Sequence, residues 1–221
     1  MEYIVLDLEM NPIHKDYKEQ KRICRSEIIQ IGAIALDDTL READSFLTYV
    51  KPQYNDAITE LIQNLTGITT EKVQTAPPFC EALRLFFDWC RHFDDDLLLI
   101  QWSSSDRKQV VREMRLKEYV PDPAEEKIMG SWYDFQEEFG QVVGLENSVS
   151  LETAISFAGA DFDGRQHDAL NDARNTAHLF RIIRNPEENH EALERVISYL
   201  KPKEAAGTCL GDLFDFGKVI L

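Results

Sequence analysis

Five side chains in three separate parts of the chain could together bind divalent metal ions and move a proton. They are Asp7, Glu9, Asp106, His167 and Asp172. Asp7 and Glu9 stand two residues apart at the end of a predicted strand, so both carboxylates point to the same side. Two charges at the end of an apolar strand are costly to desolvate unless they are paired or bound to a metal. In a chain with 40 acidic residues such pairs also arise by chance, so a solvated pair is the alternative.

The other three residues follow a strand or begin a helix. Asp106 comes shortly after the predicted strand 97–101, although an acid in the first turn of a helix is also favoured by the helix dipole alone. His167 stands at the start of a predicted helix over 168–184, five residues before Asp172. The dipole disfavours a cation at that end of a helix, which favours the neutral imidazole that a general base requires.

Four carboxylates and one imidazole predict a particular chemistry. Carboxylate oxygens select Mg²⁺ or Mn²⁺ over zinc. Two such ions about 3.5–4 Å apart stabilise the attacking and leaving oxygens of an in-line phosphoryl displacement. A neutral imidazole nearby can take the proton from the attacking water. We therefore expect a site for two divalent cations that acts on a phosphate ester.

The elements that carry these residues follow an α/β pattern. Open α/β sheets bind ligands beyond the carboxyl ends of their strands, where several of the acids stand. Apolar runs predict strands at 2–10, 27–36, 44–50 and 97–101. Helices are predicted at 56–65, from Pro77 to about His92, at 105–117, 133–139, 150–158 and 168–184, and from Asn185 to about Leu200. The remaining connections are a polar, basic segment at 11–25 and loops at 118–127 and 161–166.

Length and charge limit the classes of protein. The 221 residues, 43% of them hydrophobic, suit one large domain, which we place at 1–200. Residues 201–221 form a tail of unassigned role whose apolar end could dock on the domain. The formal net charge of −16 argues against coating of nucleic acid or anionic membranes through the overall field, but it allows a local basic path.

Cysteine spacing and the first residues bear on location. The four cysteines show neither CxxC nor zinc-finger spacing, which predicts reduced thiols in a cytoplasmic protein. The first apolar run has no basic region before it and is broken at Asp7, so we expect neither a signal peptide nor a membrane span.

Three motifs carry a resemblance to a known family. The first is Val5-Leu6-Asp7-Leu8-Glu9-Met10, followed in the next strand by Glu27-Ile28-Ile29-Gln30-Ile31-Gly32-Ala33. The others are Trp102-Ser103-Ser104-Ser105-Asp106 and His167-Asp168-Ala169-Leu170-Asn171-Asp172-Ala173. Over about residues 2–184, the chain resembles the DnaQ-like superfamily of 3′–5′ exonucleases, specifically its DEDDh branch. The resemblance implies an α/β, ribonuclease H-like fold, with a five-stranded mixed sheet flanked by helices.

The resemblance also implies a role for each of the five residues. Asp7, Glu9 and Asp172 would bind the metal that is held throughout the cycle. Asp7 would bridge to a second ion, which Asp106 supports through water, and His167 would be the base. The implied reaction releases nucleoside 5′-monophosphates one at a time from a free 3′ end.

Two departures from common family patterns affect the expected substrate. Ser103 stands where many members have glycine. Its side chain could limit how closely the protein backbone approaches the substrate. Met10-Asn11-Pro12 replaces the Thr-Thr-Gly of polymerase proofreading subunits. The chain is more similar to the RNA-trimming members related to histone-mRNA and small-RNA exonucleases. We therefore expect single-stranded RNA or short oligonucleotides to be favoured over DNA.

Several residues are candidates for substrate contact. In the family, a segment similar to Leu65-Thr66-Gly67-Ile68 holds the terminal base with an apolar wedge. The same residues also predict a helix end, with Gly67 in the left-handed conformation and Ile68 packed back on the helix. Met10, Trp102 and Ser103 are further candidates, and core packing is the alternative for the tryptophan.

Two basic stretches run against the overall acidity. Residues 14–25 hold five Lys or Arg and two acids, and residues 107–117 hold five Lys or Arg and one acid. Both adjoin the motifs in sequence, and a phosphate path along them would make binding sensitive to salt. The alternative is a pair of solvated charged faces.

Two other functions compete with an exonuclease. A non-catalytic nucleic-acid-binding or regulatory module on the same fold would not need His167. A phosphohydrolase of the HD type, built on His167-Asp168, requires further histidine ligands, and the chain has only five histidines with no second His-Asp pair. The choice between RNA and DNA depends on geometry around the 2′-hydroxyl, and the oligomeric state stays open.

Overall fold

A computed structural model describes residues 2–55, 57–93, 96–145 and 147–200, and the side chains within these ranges up to residue 198. The described residues form a five-stranded mixed sheet flanked by helices, which confirms the expected architecture. The strands are β1 (Glu2–Pro12), β2 (Ser26–Leu36), β3 (Glu42–Tyr49), β4 (Leu97–Gln101) and β5 (Trp132–Asp134).

Ten helices lie within the described ranges. They are α1 (Lys18–Ile23), α2 (Glu60–Thr66), α3 (Thr70–Gln74), α4 (Phe79–Cys90), α5 (Ser105–Leu116), α6 (Pro123–Gly130), α7 (Phe135–Val143), α8 (Leu151–Phe157), α9 (Ala169–Arg184) and α10 (His190–Leu200). None of these described helices has the length and apolar character needed to cross a membrane.

The strand order brings the ends of β4 and β5 beside β1. The order is β3-β2-β1-β4-β5, with β1 antiparallel to β2 and parallel to β4, and with β4 parallel to β5. The carboxyl ends of β4 and β5 therefore lie side by side, next to the part of β1 that follows Val5, since Ile100 pairs with Val5. Asp7 and Glu9 lie in this part of β1, and Asp106 follows β4. The topology thus explains how acids from distant parts of the chain meet.

The alternation of side chains along β1 decides which face carries the acids. Ile4, Leu6 and Leu8 belong to the core cluster that includes α4 and α5, whereas Val5 belongs to the cluster that includes α9. Each fully buried apolar side chain contributes about 1.5–3 kcal/mol. By the two-residue period of a strand, Asp7 and Glu9 continue the Val5 side and face α9.

Gly32 allows α9 to approach the sheet closely. It lies opposite Asp7 in the register between β1 and β2. A Cβ atom at this position would overlap the backbone of Ala169 and Leu170, the first two residues of α9. A glycine is therefore needed here to bring the start of α9 against the strands that carry the acids.

We expect Gly32→Ala to destabilise the fold by about 1–3 kcal/mol or more, because the added methyl group meets rigid backbone. The clash also pushes α9 and Asp172 away from β1, so metal binding should weaken as well. Urea unfolding checks the first effect. Gly130→Ala is the control, since a Cβ atom there meets no heavy atom within 4 Å. Equal stability of the two variants would contradict the close approach of α9.

The prediction of a helix over 133–139 is wrong at its start. Residues 132–134 pair in parallel with β4, with Leu99 opposite Trp132 and Gln101 opposite Asp134. Pairing with a central strand overrides the local pattern. Asp134 then caps α7 by accepting a hydrogen bond from the Glu137 N–H at 3.3 Å. The fifth strand that the resemblance implies is therefore this short segment.

Other elements also differ from the sequence prediction: the helix predicted at 56–65 begins at Glu60, and α3 was not predicted. The predicted loop 118–127 contains the start of α6, which Asp122 and Glu125 open with a reciprocal capping box. The basic connection 11–25 contains α1. The last helix begins at His190 rather than at Asn185, because residues 186–189 form turns before it.

Some predictions fall on residues outside the described ranges. The proposed tail at 201–221, its docking and Cys209 lie there. Cys24, Cys80 and Cys90 are free thiols. The placement of one domain at 1–200 and a cytoplasmic location stay predictions from the sequence.

Candidate active site

Asp7 and Glu9 lie on β1 next to an irregularity in the sheet. Glu9 is buried and Asp7 is half-buried. The register with β2 shifts directly after Glu9, since Glu9 lies opposite Gln30 whereas Met10 lies opposite Ile28. Bulges of this kind occur beside active sites, where they re-aim side chains and bend the strand.

Asp106 is held at the first turn of α5 by the end of β4. The buried Gln101 side chain accepts a hydrogen bond from the Arg107 N–H at 3.0 Å, which satisfies one of the free donors at this helix start. Asp106 itself is only 4% exposed. A buried carboxylate at this position is not explained by the helix dipole alone, and it faces the other acids.

The start of α9 is fixed to β2 by one glutamine. Gln30 donates to Asp168 Oδ2 at 3.2 Å and accepts from the Ala169 N–H at 3.1 Å. Asp168 in turn caps the helix through the Asn171 N–H at 3.2 Å. His167 immediately precedes this cap, is exposed, and has the left-handed φ of 59°.

The five predicted residues converge at one site. A carboxylate oxygen of Glu9, a ring nitrogen of His167 and a carboxylate oxygen of Asp172 lie within 4.8 Å of one another. Asp7 lies close enough to Glu9, Asp106 and Asp172 for their charges to raise its pKa. The structure therefore brings together all four carboxylates and the imidazole.

Burial and mutual repulsion raise the pKa values of these acids strongly. Burial, with repulsion from Asp172 and Asp106, raises the pKa of Glu9 to about 8. Burial and repulsion from Asp172 and then Asp134 likewise raise the pKa of Asp106 to about 8, and burial raises that of Asp172 to about 7. The pKa of Asp7 also lies well above its usual value. Acids crowded in this way ionise together only when a cation compensates their charge.

One unpaired oxygen indicates where a cation fits. Asp172 Oδ1 is buried and has no hydrogen-bond partner among the described residues. A buried acceptor without a donor costs about 1–3 kcal/mol. Together with Glu9 and Asp7, it forms a set of hard oxygen donors of the kind that Mg²⁺ and Mn²⁺ prefer. The residues present therefore fit a divalent metal ion.

These shifts predict that the metal-free protein loses stability as pH rises from about 4, near the ordinary pKa of a carboxyl group, to about 8. The folded-state pKa values of Glu9, Asp106 and Asp172 lie above those of ordinary carboxyls, so the folded state holds protons that the unfolded state has released. The stabilisation by these bound protons is complete at a pH below the ordinary pKa values of carboxyl groups. It is lost as the pH rises through the folded-state pKa values of about 7 to 8. Calorimetry in EDTA should show a falling Tm, and added Mn²⁺ should raise Tm most at the higher pH.

Asp7→Asn is the control for this pH effect, because it removes one of the repelling charges and should flatten the fall of Tm. A Tm in EDTA that stays constant or rises over this pH range would contradict the crowding of the acids.

The predicted wedge segment, residues 65–68, has a partly structural role. Gly67 ends α2 in the left-handed conformation with a φ of 72°, and Ile68 packs in a small cluster, as predicted. Thr66 is buried and accepts a hydrogen bond from the Ile68 N–H at 3.0 Å. Leu65 is 42% exposed and is therefore the side chain of this segment that is available to a substrate.

The start of α2 is joined to the strand that carries the acids. Asn11, on β1, accepts a hydrogen bond from the Thr59 N–H at 3.0 Å and donates to the Ala57 carbonyl at 3.4 Å. Thr59 is the N-cap of α2. The wedge segment is thus held at a fixed position relative to β1.

The other substrate candidates divide between site and core. Met10 is half-buried beside Glu9 and packs on the core. Ser103 is half-buried, and its Oγ lies 2.6 Å from that of Ser105. The structure places Trp102, a predicted substrate contact, in the core, which favours the packing alternative. The residue is only 7% exposed, and its ring packs on two core phenylalanines.

Three residues of the site were not identified from the sequence. Gln30 fixes the start of α9, and Asp168 adds negative charge beside Asp7 and Glu9. Asp134, at the end of β5, adds charge beside Asp106. Gln30 and Asp168 lie within the motifs that carry the family resemblance, so the sequence already placed them near the site. Asp134 was hidden because its segment was predicted as helix.

Comparison with family models decides the assignment. Residues 4–180 match the RNase_T model, which is described as exonuclease. The chain belongs to this exonuclease family. The match covers most of the chain and includes all five converging residues. It agrees with the resemblance that the three motifs carry.

Two curated relatives are similar over much of this chain. The 3′-5′ exoribonuclease 1 of Homo sapiens is 26% identical over 162 residues, which are 69% of this chain and 45% of that protein. The probable 3′-5′ exonuclease KapD of Bacillus subtilis is 25% identical and 87% of each chain is covered. The chain thus spans about half the length of the exoribonuclease relatives that it matches.

A solved structure of the family confirms the fold. The nuclease domain of 3′hExo, a DEDDh family member bound to rAMP, superposes with a TM-score of 0.71 at 24% identity, covering 86% of this chain and 94% of that domain. The likeness establishes the ribonuclease H-like fold that the motifs implied.

Proposed function

We propose that this protein is a metal-dependent 3′–5′ exonuclease that releases nucleoside 5′-monophosphates from single-stranded nucleic acid, with RNA or short oligonucleotides favoured over DNA. The observation that carries the proposal is the convergence of four carboxylates and His167 at one sheet edge. Membership of the exonuclease family supports the reaction class. The human relative is named an exoribonuclease, which supports RNA.

The carboxylates define where two divalent cations, Mg²⁺ or Mn²⁺, would bind. Asp7, Glu9 and Asp172 would hold one ion, and Asp7 with Asp106 would hold the second. When bound, the ions supply positive charge to the attacking and leaving oxygens of an in-line phosphoryl displacement. The unpaired Oδ1 of Asp172 and the raised pKa values of the acids support this assignment.

His167 is placed to act as the general base. Its ring lies beside the oxygens of Glu9 and Asp172, where an attacking water would stand. The side chain is exposed, so a proton that it accepts can pass to solvent. General bases of this kind contribute about 10²–10⁴-fold to a rate.

The wedge segment supports recognition of a terminal nucleotide. Leu65 presents an exposed apolar side chain at the end of α2, beside the segment that carries His167. An apolar side chain of this kind can pack on the face of a terminal base. The 3′hExo nuclease domain was solved with rAMP, a nucleoside monophosphate of the class that this reaction would release.

The two basic stretches form one surface, which supports a nucleic-acid partner. α1 packs against α5, and Gln109 of α5 also contacts the residues that follow α1, donating to the Ser26 carbonyl at 2.8 Å and lying 3.4 Å from Cys24 Sγ. Side chains three and four residues apart share a helix face. The basic surface comprises Lys18, Lys21, Arg22 and Arg25 with Lys108, Arg112 and Arg115. It begins next to Asp106, so a strand that leaves the site could follow it.

We expect Arg112→Gln to weaken RNA binding and to make it less sensitive to salt. For single strands, each phosphate contact contributes about 0.7 to the slope of log K against log salt, so the slope should flatten by about that amount. Fluorescence anisotropy over a salt series measures it. Lys127→Gln is the control, because Lys127 is an exposed cation on α6, away from the site. Equal slopes for both variants would exclude the basic surface from binding.

A time course on end-labelled oligonucleotides tests the function directly. Single-stranded RNA and DNA of matched sequence, labelled at the 3′ or the 5′ end, are incubated with Mg²⁺, Mn²⁺ or EDTA. We expect a metal-dependent ladder that shortens from the 3′ end and is faster on RNA. Binding without cleavage would overturn the proposal in favour of a non-catalytic module.

A further inference from the structure

One arginine joins the segment that carries His167 to the end of α2. Arg165 Nη2 donates hydrogen bonds to the carbonyls of Asn64 at 2.9 Å and Leu65 at 3.2 Å. These carbonyls belong to the last turn of α2, where a helix leaves acceptors free and favours a cation. About 100 residues of chain separate the two partners, so this is a tertiary contact.

The end of α2 is shaped to receive this guanidinium. Gly67 follows the two acceptor carbonyls closely and has a φ of 72°. A Cβ atom on Gly67 would overlap Nη1 and Cζ of Arg165. The absence of a side chain at Gly67 therefore serves two purposes, because it permits the left-handed turn and leaves room for the guanidinium.

The backbone of the same segment is fixed to α9. Asn171 donates to the Arg165 carbonyl at 3.2 Å. Asn175 accepts from the Asp163 N–H at 3.0 Å and donates to the Asp163 carbonyl at 2.9 Å. The segment is thus attached to α9 by its backbone and to α2 by the Arg165 side chain. His167, two residues later, is the exposed residue whose position these attachments set.

We propose that Arg165 is a positioning residue. It ties the wedge segment to the segment that carries His167, so that the binding site for the terminal nucleotide and the general base keep a fixed relative position. This inference rests on the proposed exonuclease function. Arg165 makes no contact with the carboxylates in the described structure, so its effect is confined to placement.

Arg165→Ala should lower the single-turnover rate at saturating RNA by about 10- to 100-fold, the range expected when a reacting group is misplaced by about 1 Å. Mn²⁺ affinity, measured by calorimetry, should be unchanged. Arg165→Lys should recover most of the rate, because Nη2 alone makes both bonds and an ammonium can donate to both carbonyls. A purely structural role would lower Tm and leave the rate unchanged well below Tm.

A double-mutant cycle with Gly67→Ala separates positioning from local damage. The added methyl group displaces the guanidinium, so the rate should fall in the wild-type background and fall little further in Arg165→Ala. Gly144→Ala is the matched control, since Gly144 also ends a helix with a φ of 76° and a Cβ atom there meets nothing within 4 Å. That variant should show the backbone strain without loss of rate.

The outcomes distinguish this inference from the proposed function. A wild type without exonuclease activity overturns both. An active wild type with an undiminished rate in Arg165→Ala overturns the role of Arg165 alone. Losses in Arg165→Ala and Gly67→Ala that multiply in the double variant would also overturn it. A reduced rate with unchanged Mn²⁺ affinity and non-multiplying losses establishes it.

Discussion

Replacing Asp7 by asparagine should lower the rate of 3′-end cleavage by about 1,000-fold or more while the metal-free fold becomes more stable. The charges of Glu9, Asp106 and Asp172 all act on Asp7, which under the proposed function would help to hold both ions. An amide of the same shape cannot supply the anionic oxygens that two cations require. It also removes one of the repelling charges, so the free energy of unfolding in EDTA should rise.

Single-turnover cleavage of a labelled RNA and thermal unfolding in EDTA test both halves of this prediction. Asp38→Asn is the control, because Asp38 is an exposed acid in the turn between β2 and β3. It should leave rate and Tm unchanged. Near-normal cleavage by Asp7→Asn would refute the metal assignment. A rise in neither Tm nor unfolding free energy would refute the repulsion among the acids.

The opposite directions of the two effects distinguish a site from a structural cluster. A buried ion pair that holds a fold together loses stability when one partner is removed. Lys117 offers that contrast, since it is buried and bridges Glu27 at 2.9 Å and Glu113 at 2.8 Å. Acids that destabilise the metal-free fold therefore indicate a binding site rather than a structural cluster.

Much of the site could be predicted because its residues lie on elements with strong local signals. β1 is apolar on both faces up to Asp7, which indicates a central strand, and the helix over 168–184 has a clear apolar stripe. The two-residue period places Asp7 and Glu9 on one side, and the motif order supplies Asp106 and His167. These inferences need only neighbouring residues.

Other parts of the site depend on pairings between distant residues. β5 has three residues, too few for a periodicity, and it exists because it pairs with β4. Trp102 is a plausible stacking residue until its contacts with Phe135 and Phe139 place it in the core. The sequence shows that Gly32 is a glycine in a strand, but only the packing of α9 explains why.

The contact of Arg165 with α2 illustrates the same limit. An arginine in a predicted loop carries no local signal, and a glycine such as Gly67 is explained fully by the helix end. Only the tertiary structure shows that the two share one space. Residues that connect elements are therefore the ones that sequence reasoning misses, whereas residues that carry chemistry have types that reveal them.

Replacing His167 by glutamine should slow cleavage by about 10²–10⁴-fold and leave metal binding intact. The ring lies within 4.8 Å of oxygens of Glu9 and Asp172, so proximity alone would suit either a base or a further metal ligand. The two roles differ in what the variant loses. Loss of a base affects the proton transfer, whereas loss of a ligand weakens the binding of the cation.

Mn²⁺ titration by calorimetry, together with single-turnover rates at saturating Mn²⁺, separates these roles. If His167 is a base, His167→Gln keeps the Mn²⁺ affinity of the wild type, and its rate stays low however much metal is added. If His167 is a ligand, the variant binds Mn²⁺ more weakly, and high Mn²⁺ restores part of the rate. His190→Gln is the control, because His190 is exposed at the start of α10 and should alter neither quantity. Because His167 is exposed and precedes the helix cap, whereas the acids beside it are buried or half-buried, we expect the pattern of a base.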